Sequence, residues 1–216
     1  MHKLKSQYKT LSQECRLYNC QRPIIALTGG IASGKSAASQ YFIGQGVPLI
    51  DADKLVKEIY QQESTMEFLK NLDPQFLTND KINFKLLRES LFNNLNLKNI
   101  IEEYIYNKLP NQFNLNYEKL DFSTFDFLIY DIPLLYEKGI SSLFDMNILV
   151  YAPREIQKAR LMQRDNISEQ LANKILDQQM DIEVKKEKAS FIIENTASFN
   201  VLNAKTQQCL KEISTS

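Results

Sequence analysis

The stretch "IIALTGGIASGKSAASQYF", from Ile24 to Phe42, decides the fold of this chain. It begins as an apolar strand pattern, passes through a glycine-rich turn and continues as a helical pattern. Within it, Gly29 and Gly34 enclose four residues, and Gly34 is followed by Lys35 and Ser36. This is the spacing of a P-loop, and a strand before the loop and a helix after it are the context that a P-loop requires. We therefore predict that the chain binds a nucleoside triphosphate.

A P-loop binds phosphate because its backbone N–H groups and the N-terminus of the following helix point at one anion. Lys35 is expected to reach the β- and γ-phosphates, and the Ser36 hydroxyl to ligate Mg²⁺. Ala32 stands at a position where glycine is common, and alanine is tolerable there if the residue keeps a negative φ. The residues predicted to bind ATP are Gly30, Ile31, Ala32, Ser33, Gly34, Lys35, Ser36 and Ala37.

Strand and helix patterns alternate along the chain. A helix is predicted from about Gly34 to Ile43. Alternation of this kind indicates right-handed βαβ units, so we predict an α/β fold with a three-layer P-loop core around a five-stranded parallel sheet. The five predicted strands are Pro23–Thr28, Val47–Asp51, Asp126–Asp131, Met146–Ala152 and Ser190–Asn195.

Two stretches interrupt the alternation. Residues 62–117 show no strand pattern but have apolar residues at three-to-four spacing, which predicts a helical insertion between the second and third strands. Residues 160–188 are charged and predict the helices of a mobile lid. The first 22 residues form an N-terminal extension, either a disordered tail or an added helix packed on the core. The remaining ranges, 23–61, 118–159 and 189–216, are assigned to the nucleotide-binding core.

Composition excludes several classes of function. The chain has 216 residues with 26 basic and 26 acidic side chains, so bulk attraction to nucleic acid or to an anionic membrane is not expected. It has no apolar run of transmembrane length and no secretory signal pattern, and three sparse cysteines do not suggest disulfides, so a cytoplasmic location is expected. The single histidine, His2, is at the extreme N-terminus, so acid–base chemistry must come from carboxylates or lysines.

Acidic residues follow two of the predicted strands. Asp51 and Asp53 lie at the carboxyl end of the second strand, where open α/β sheets bind their ligands. One could organise Mg²⁺ through water while the other orients or deprotonates an attacking hydroxyl. Alternatively, Asp53 caps a helix that begins at Lys54. Asp131 ends the third strand, and with Ser36 and Asp51 it completes the predicted metal ligands.

Two arginines mark the start of the predicted lid. Arg160 and Arg164 are four residues apart and therefore share one face of a helix. Guanidinium groups there could neutralise charge on the transferred phosphoryl group, and closure of the lid would exclude water. The alternative is a solvated helix face whose arginines pair with Glu155 and Asp165.

A P-loop alone does not name a reaction. The stretch "NKLP" at 107–110 lacks the aspartate of a guanine-specifying motif, which argues against a GTPase. Together, however, "LTGGIASGKS", "GVPLIDADKLVKEI", "DIPLLYE" and "ARLMQRD" resemble the dephospho-coenzyme A kinase family from about Ile24 to Asn195. The resemblance implies transfer of the γ-phosphoryl group of ATP, with Mg²⁺, to the ribose 3′-hydroxyl of dephospho-coenzyme A, the last step of coenzyme A synthesis. It implies that the helical insertion is a substrate-binding domain for this small molecule. The composition predicts neither nucleic acid nor a membrane as partner, and the sequence leaves open whether the chain is a monomer or a small homo-oligomer.

The resemblance also implies roles for individual residues. Asp53 is implied as the catalytic base, acting with Lys35, Arg160 and Arg164. The chain departs from the family at several positions: Ala32 and Ala37 in the loop, Lys57 for arginine, Tyr106 and Asn107 for His-Pro, and Ser190 for aspartate. Two other hypotheses stay open, a kinase of the same fold with another acceptor such as a nucleoside monophosphate, and a nucleotide-binding module without transfer activity. The implied substrate-binding residues are Asp53, Lys57, Arg88, Pro133, Leu134, Glu137 and Gln179, and Lys185 matches a further position of the lid.

Overall fold

The computed structural model of the chain describes residues 1–215. Its strands are β1 (Lys3–Leu4), β2 (Ile24–Gly29), β3 (Leu49–Asp51), β4 (Leu77–Thr78), β5 (Lys81–Ile82), β6 (Leu128–Asp131), β7 (Met146–Tyr151), β8 (Phe191–Glu194) and β9 (Ser214–Thr215). Its α-helices are α1 (Lys35–Gly44), α2 (Ala52–Tyr60), α3 (Glu63–Leu72), α4 (Phe84–Asn93), α5 (Leu95–Tyr117), α6 (Arg154–Asp165), α7 (Glu169–Leu176), α8 (Ile182–Lys188) and α9 (Phe199–Ile213).

The central sheet has five strands in the order β3-β6-β2-β7-β8. The strand that leads into the P-loop, β2, lies at its centre and pairs in parallel with β6 on one side and β7 on the other. All six residues of β2 are buried, as expected of a strand with neighbours on both edges and helices on both faces. The predicted α/β fold with a five-stranded parallel sheet is confirmed.

Helices cover the two faces of this sheet. On one face, Ile25 and Leu27 of β2 pack in a single cluster with Phe42 of α1 and Cys209 of α9. On the other, Leu149 and Tyr151 of β7 pack with Ile182 of α8. Burial of apolar side chains from both layers holds α1 against the sheet, and this fixes where the P-loop must turn.

The chain divides into two compact units. One comprises Met1–Ile50 together with the chain from Leu120 onward, and the other is Asp51–Lys119. The helical unit thus begins at Asp51 and not at residue 62, because α2 packs against α5 and contributes the buried Ile59 to the apolar cluster of that unit.

The helical unit corrects two expectations. Residues 62–117 were expected to lack strands, but β4 and β5 form a small antiparallel hairpin there. Its two-residue turn, Asn79 and Asp80, has φ angles of 50° and 56°, which suits these residue types. The three-to-four apolar pattern of this segment includes Phe92, Leu95 and Ile101 and predicts that all three face a core. The pattern breaks between α4 and α5, where Phe92 and Leu95 are 90% and 71% exposed, whereas Ile101 is buried.

The N-terminal extension is neither of the two predicted forms. It is a series of short 3-10 turns and one strand, and it packs on the core: β1 pairs with β9, and Leu17 is buried. Arg16 forms a buried ion pair with Asp145, with 2.7 Å between Nε and Oδ2. These contacts tie the segment to the amino-terminal end of β7.

The predicted lid consists of the end of α6, all of α7 and all of α8. Its predicted first residue, Arg160, lies in the middle of α6, so that boundary cuts a continuous helix. None of the helices within residues 1–215 is both long enough and apolar enough to cross a bilayer.

Candidate nucleotide-binding site

The P-loop connects the end of β2 to the first turn of α1, and two of its glycines are required by close neighbours. A Cβ on Gly30 would overlap Oε1 of Gln157, which is buried and fixed by a 2.7 Å hydrogen bond from its Nε2 to the carbonyl of Ala152. A Cβ on Gly34 would overlap Nδ2 of Asn195, and Gly34 has a φ of 95°, where a side chain is strained. The backbone of this loop is therefore closely braced by side chains.

Ala32 does not meet the condition under which alanine is well tolerated at this position. Its φ is +56°, in the left-handed region, and not negative. The loop must turn sharply between β2 and α1, with Ser33 N donating to the carbonyl of Gly30 at 3.1 Å, and this turn places residue 32 in the left-handed region. That conformation is unfavourable for an alanine by roughly 1 kcal/mol or more.

The N-terminus of α1 has the features of an anion-binding site. Gly34 is its N-cap, no side chain within residues 1–215 caps it, and its first turn holds no acidic residue. The first N–H groups of a helix have no partner within the helix, and the helix dipole adds partial positive charge there. Phosphate oxygens satisfy both features, so the geometry fits a P-loop.

Lys35 is paired with Asp131 in this structure. Asp131 is 4% exposed and ends β6, the neighbour of the P-loop strand. Its Oδ1 contacts Lys35 Nζ, and its Oδ2 accepts a 2.6 Å hydrogen bond from the hydroxyl of Ser39. A buried carboxylate is thus neutralised by the lysine that the motif assigns to phosphate.

The predicted oxygen ligands of a metal ion divide between the two units. Ser36 is exposed in the first turn of α1, and Asp131 lies in the same unit. Asp51 belongs to the helical unit and caps α2, with its Oδ1 accepting from the backbone N–H groups of Asp53 at 2.8 Å and Lys54 at 3.1 Å. The sequence alternative, in which Asp53 caps a helix beginning at Lys54, is therefore wrong. The N-cap of α2 is Asp51, because the helix begins at Ala52. No cluster of three or more His, Cys, Asp or Glu suited to a metal occurs among residues 1–215.

The remaining candidates of the helical unit lie on its surface. Asp53 is exposed in the first turn of α2, and Lys57 is exposed in its last turn. Arg88 is exposed on α4. These side chains provide one carboxylate and two cations at the surface of the helical unit.

The two arginines of α6 have different partners. Arg160 Nη2 donates to Asn195 Oδ1 at 3.4 Å, and its Nη1 is buried with no hydrogen bond among the described residues. Arg164 forms two hydrogen bonds with Asp165, at 2.7 and 2.8 Å, which raise the pKa of Arg164 and lower that of Asp165. Here Arg164 matches the alternative of a solvated, paired residue, while Glu155 pairs with Lys158 instead.

The segment between α7 and α8 contacts the P-loop and the loop after β6. Gln179 Oε1 accepts a 2.9 Å hydrogen bond from the backbone N–H of Ile31. Glu137 Oε1 accepts from the backbone N–H of Met180 at 3.0 Å and lies 2.7 Å from Nζ of the fully buried Lys185. The structure therefore brings Gln179, Glu137 and Lys185 into contacts that join the lid segment to the core.

The loop after β6 holds the other implied substrate residues. The carbonyl of Pro133 accepts a hydrogen bond from the Thr28 hydroxyl at 3.2 Å, and Leu134 is 37% exposed. Burial raises the pKa of Tyr136 to about 12, so its hydroxyl stays protonated at neutral pH. Glu137 Oε2 is buried and has no hydrogen-bond partner within residues 1–215, which leaves an acceptor for a ligand.

Comparison with known proteins decides the family. The sequence model of the family described as dephospho-CoA kinase (CoaE) matches residues 23–200. This chain belongs to the dephospho-CoA kinase family. A dephospho-CoA kinase of Fusobacterium nucleatum is 35% identical over 192 residues, which cover 88% of this chain and 98% of that protein. One of Campylobacter jejuni is 35% identical over 193 residues, covering 87% of this chain and 95% of that protein.

Solved structures agree with this assignment. A crystal structure of TT1252 from Thermus thermophilus superimposes with a TM-score of 0.77 at 27% identity, covering 89% of this chain and 98% of that one. A dephospho-CoA kinase from Campylobacter jejuni superimposes with a TM-score of 0.67 at 32% identity, covering 88% and 96%. The chain is thus a kinase of the dephospho-CoA kinase family with a P-loop fold.

Sequence reasoning missed three residues that shape the P-loop of this dephospho-CoA kinase family member. Ser39 could have been found, because it follows Lys35 by four residues on α1 and so shares its face. Asn195 directly follows β8, at the sheet edge where ligands bind, which was a weaker signal. Gln157 gave no signal, since its role depends on a contact with Gly30 that only the folded chain creates.

Proposed function

We propose that this chain transfers the γ-phosphoryl group of ATP to the ribose 3′-hydroxyl of dephospho-CoA, giving CoA and ADP. Membership of the dephospho-CoA kinase family is the observation that carries the proposal. The braced P-loop, with its uncapped helix N-terminus, supports ATP as the donor. Because phosphoryl transfer depends mainly on positioning and charge stabilisation, each residue has a limited task.

The donor is bound by the loop from Gly30 to Ala37. Its backbone N–H groups hold the phosphates, and Lys35 leaves Asp131 to contact the β- and γ-phosphates. The exchange is favourable because the triphosphate offers the ammonium group more negative charge than one carboxylate does. Ser39 keeps Asp131 hydrogen-bonded when the lysine moves.

The donor atoms available for Mg²⁺ are hydroxyl and carboxylate oxygens, which are the ligands that this ion prefers. Ser36 and Asp131 would hold it in the core, and Asp51 would contribute through water. When bound, the ion neutralises charge on the phosphates. The residues fit the ion because Mg²⁺ is usually bound by one or two protein oxygens together with phosphate and water, and not by a cluster of acids.

The acceptor is held and activated by the residues that the family resemblance implies. Asp53 accepts the proton of the attacking hydroxyl, as a carboxylate does in other kinases. Lys57 and Arg88 bind anionic groups of dephospho-CoA, and the surface exposure of both supports this role. On the core, the unpartnered Oε2 of Glu137 accepts a hydrogen bond from the substrate, while Pro133, Leu134 and Gln179 contact it.

Arg160 and Arg164 stabilise the charge of the transferred phosphoryl group. The buried and unpaired Nη1 of Arg160 supports this role, since a buried guanidinium donor without a partner is costly unless a ligand satisfies it. Arg164 must first leave Asp165. The two residues form an exposed ion pair, and such pairs contribute little to stability.

The test is ADP release with Mg²⁺ and ATP, with and without dephospho-CoA, and with the product identified by mass. Acceptor-dependent ADP and a product heavier by one phosphoryl group are expected. If the protein binds ATP but forms no such product, a panel of nucleoside monophosphates decides between another acceptor and a binding module without transfer.

A Lys35→Ala variant tests the donor site in the same assay. Turnover should fall by about a hundredfold or more, because a cation on the transferred group is lost. Lys205→Ala is the matched control, since Lys205 is a surface lysine paired with Glu194, and its turnover should not change. Near-normal turnover of Lys35→Ala would contradict the assignment of the P-loop as donor site.

A further inference from the structure

We propose that Asn195 is a positioning residue that couples Arg160 to the P-loop. The proposal rests on the function above for its consequence in catalysis, but its contacts lie entirely within the compact unit formed by Met1–Ile50 and the chain from Leu120 onward. Asn195 follows β8 and is 7% exposed, and its backbone N–H donates to the carbonyl of Tyr151 at 2.7 Å. Its backbone is therefore held at the end of the sheet, and its side chain projects from a fixed point.

One end of the Asn195 side chain braces the P-loop. Nδ2 donates a 2.8 Å hydrogen bond to the carbonyl of Ser33, between two buried groups. The same nitrogen lies so close to Gly34 that a Cβ there would overlap it. Asn195 thus fixes both the orientation of the Ser33–Gly34 peptide and the space beside it, directly before the N-terminus of α1. The N–H groups that bind phosphate begin at this point.

The other end of the Asn195 side chain, Oδ1, contacts the guanidinium group of Arg160. Its Nη2 donates to Asn195 Oδ1 at 3.4 Å, while Nη1 of the same guanidinium is buried without a hydrogen-bond partner within residues 1–215. The two contacts fix the amide orientation, because the Ser33 carbonyl needs a donor and the arginine needs an acceptor. A single rigid side chain therefore joins the cation of α6 to the backbone of the loop.

Asparagine is the residue type that this position needs. Aspartate would keep the acceptor for Arg160 but would place an oxygen against the Ser33 carbonyl, where a donor is required. Alanine would lose both contacts. The two substitutions therefore separate the bracing of the loop from the placement of Arg160.

The experiment is a double-mutant cycle on ATP affinity, measured by calorimetry with Mg²⁺-ATP and no acceptor. The variants are Asn195→Ala, Arg160→Ala and both together. Each single change should weaken ATP binding by about tenfold, as expected for loss of a hydrogen bond to a charged or buried group. The double variant should be weakened by much less than the product of the two single effects, because each residue acts through the other. Lys158→Ala, on the same helix, is the control and should bind ATP like the parent, since Lys158 pairs with Glu155 and Glu169 at the surface.

Additive effects in the cycle, or parent-like ATP affinity of Asn195→Ala, would overturn the proposal. If Asn195→Ala fails to fold, Asn195→Asp replaces it in the cycle. The ATP affinity of Asn195→Asp should be lower than that of the parent. Adding Arg160→Ala to Asn195→Asp should lower the ATP affinity further, because the aspartate still accepts from Arg160. The titration uses no acceptor, so its result stands whether or not the parent phosphorylates dephospho-CoA. In an active parent, Asn195→Ala should also lower kcat, whereas a purely structural role would reduce only the fraction of folded enzyme.

Discussion

Ser39 donates its hydroxyl proton to Oδ2 of Asp131 across 2.6 Å, on the opposite oxygen from the one that contacts Lys35. A hydroxyl has one proton, so the carbonyl of Lys35, at 3.1 Å from Ser39 Oγ, is only an alternative acceptor. The shorter bond to a charged acceptor is the stronger of the two. Ser39 therefore orients the carboxylate that neutralises the P-loop lysine.

Ser39→Ala should reduce both stability and turnover. It removes one partner of a buried carboxylate, so the free energy of unfolding should fall by about 1–3 kcal/mol. Turnover of the folded variant should fall by about tenfold, because Asp131, the proposed Mg²⁺ ligand, is no longer held in position once Lys35 has moved to the phosphates. Chemical denaturation and steady-state kinetics measure the two effects. Ser142→Ala, at an exposed site in a 3-10 turn, is the control and should change neither. Parent-like turnover of Ser39→Ala would show that Asp131 does not depend on Ser39.

The architecture of the core could be predicted because its signals are local. The P-loop spacing, the buried β-branched strands and the helical periodicity of α1 all lie in short windows of sequence. The bracing contacts could not be predicted, since Asn195 and Ser33 are 162 residues apart and meet only through the sheet topology. The β4–β5 hairpin was missed for another reason, because two-residue strands are too short to show alternation, and only Asn79-Asp80 signals the turn.

Asp53→Asn should abolish most of the phosphoryl transfer while keeping ATP affinity. The substitution preserves size but removes the negative charge that we propose accepts the hydroxyl proton, so kcat should fall by about a hundredfold or more. Calorimetry with ATP should give the parent affinity. Glu63→Gln is the matched control, because Glu63 is also an exposed acid in the first turn of a helix, α3, and it should retain full turnover. Loss of ATP binding in Asp53→Asn would instead identify Asp53 as a metal-binding or structural residue.

Ala32→Gly should stabilise the protein slightly. At a φ of +56°, alanine pays roughly 1–2 kcal/mol that glycine does not, while the greater freedom of glycine in the unfolded chain costs about 0.5–1 kcal/mol. The free energy of unfolding should therefore rise by about 0.5 kcal/mol. Ala37→Gly, within α1, should lower it by about 1 kcal/mol, because glycine is unfavourable inside a helix. Urea denaturation measures the free energy of unfolding of both variants. A gain for Ala32→Gly and a loss for Ala37→Gly would confirm the left-handed conformation of residue 32, and an equal loss in both would contradict it.

Arg16→Ala should destabilise the fold through the N-terminal segment. The Arg16 side chain is 4% exposed and that of Asp145 is fully buried, so the substitution leaves a buried carboxylate without its cation. Asp145 keeps hydrogen bonds from the backbone N–H groups of Leu11 and Ile24, which limits the loss. The free energy of unfolding should fall by about 3 kcal/mol.

Arg22→Ala is the matched control for this change, because Arg22 packs its guanidinium over the Phe122 ring, 4.5 Å from the centroid, at a half-buried site. Loss of that contact should cost less than about 1 kcal/mol. Residues 1–22 lie outside the range that the family shares, so kcat of both folded variants should match the parent. Equal and small losses for the two variants would mean that the segment does not stabilise the core. A fall in kcat for Arg16→Ala alone would mean that loss of the ion pair disturbs β2. The link would be Asp145, which accepts hydrogen bonds from both Arg16 and the backbone N–H of Ile24.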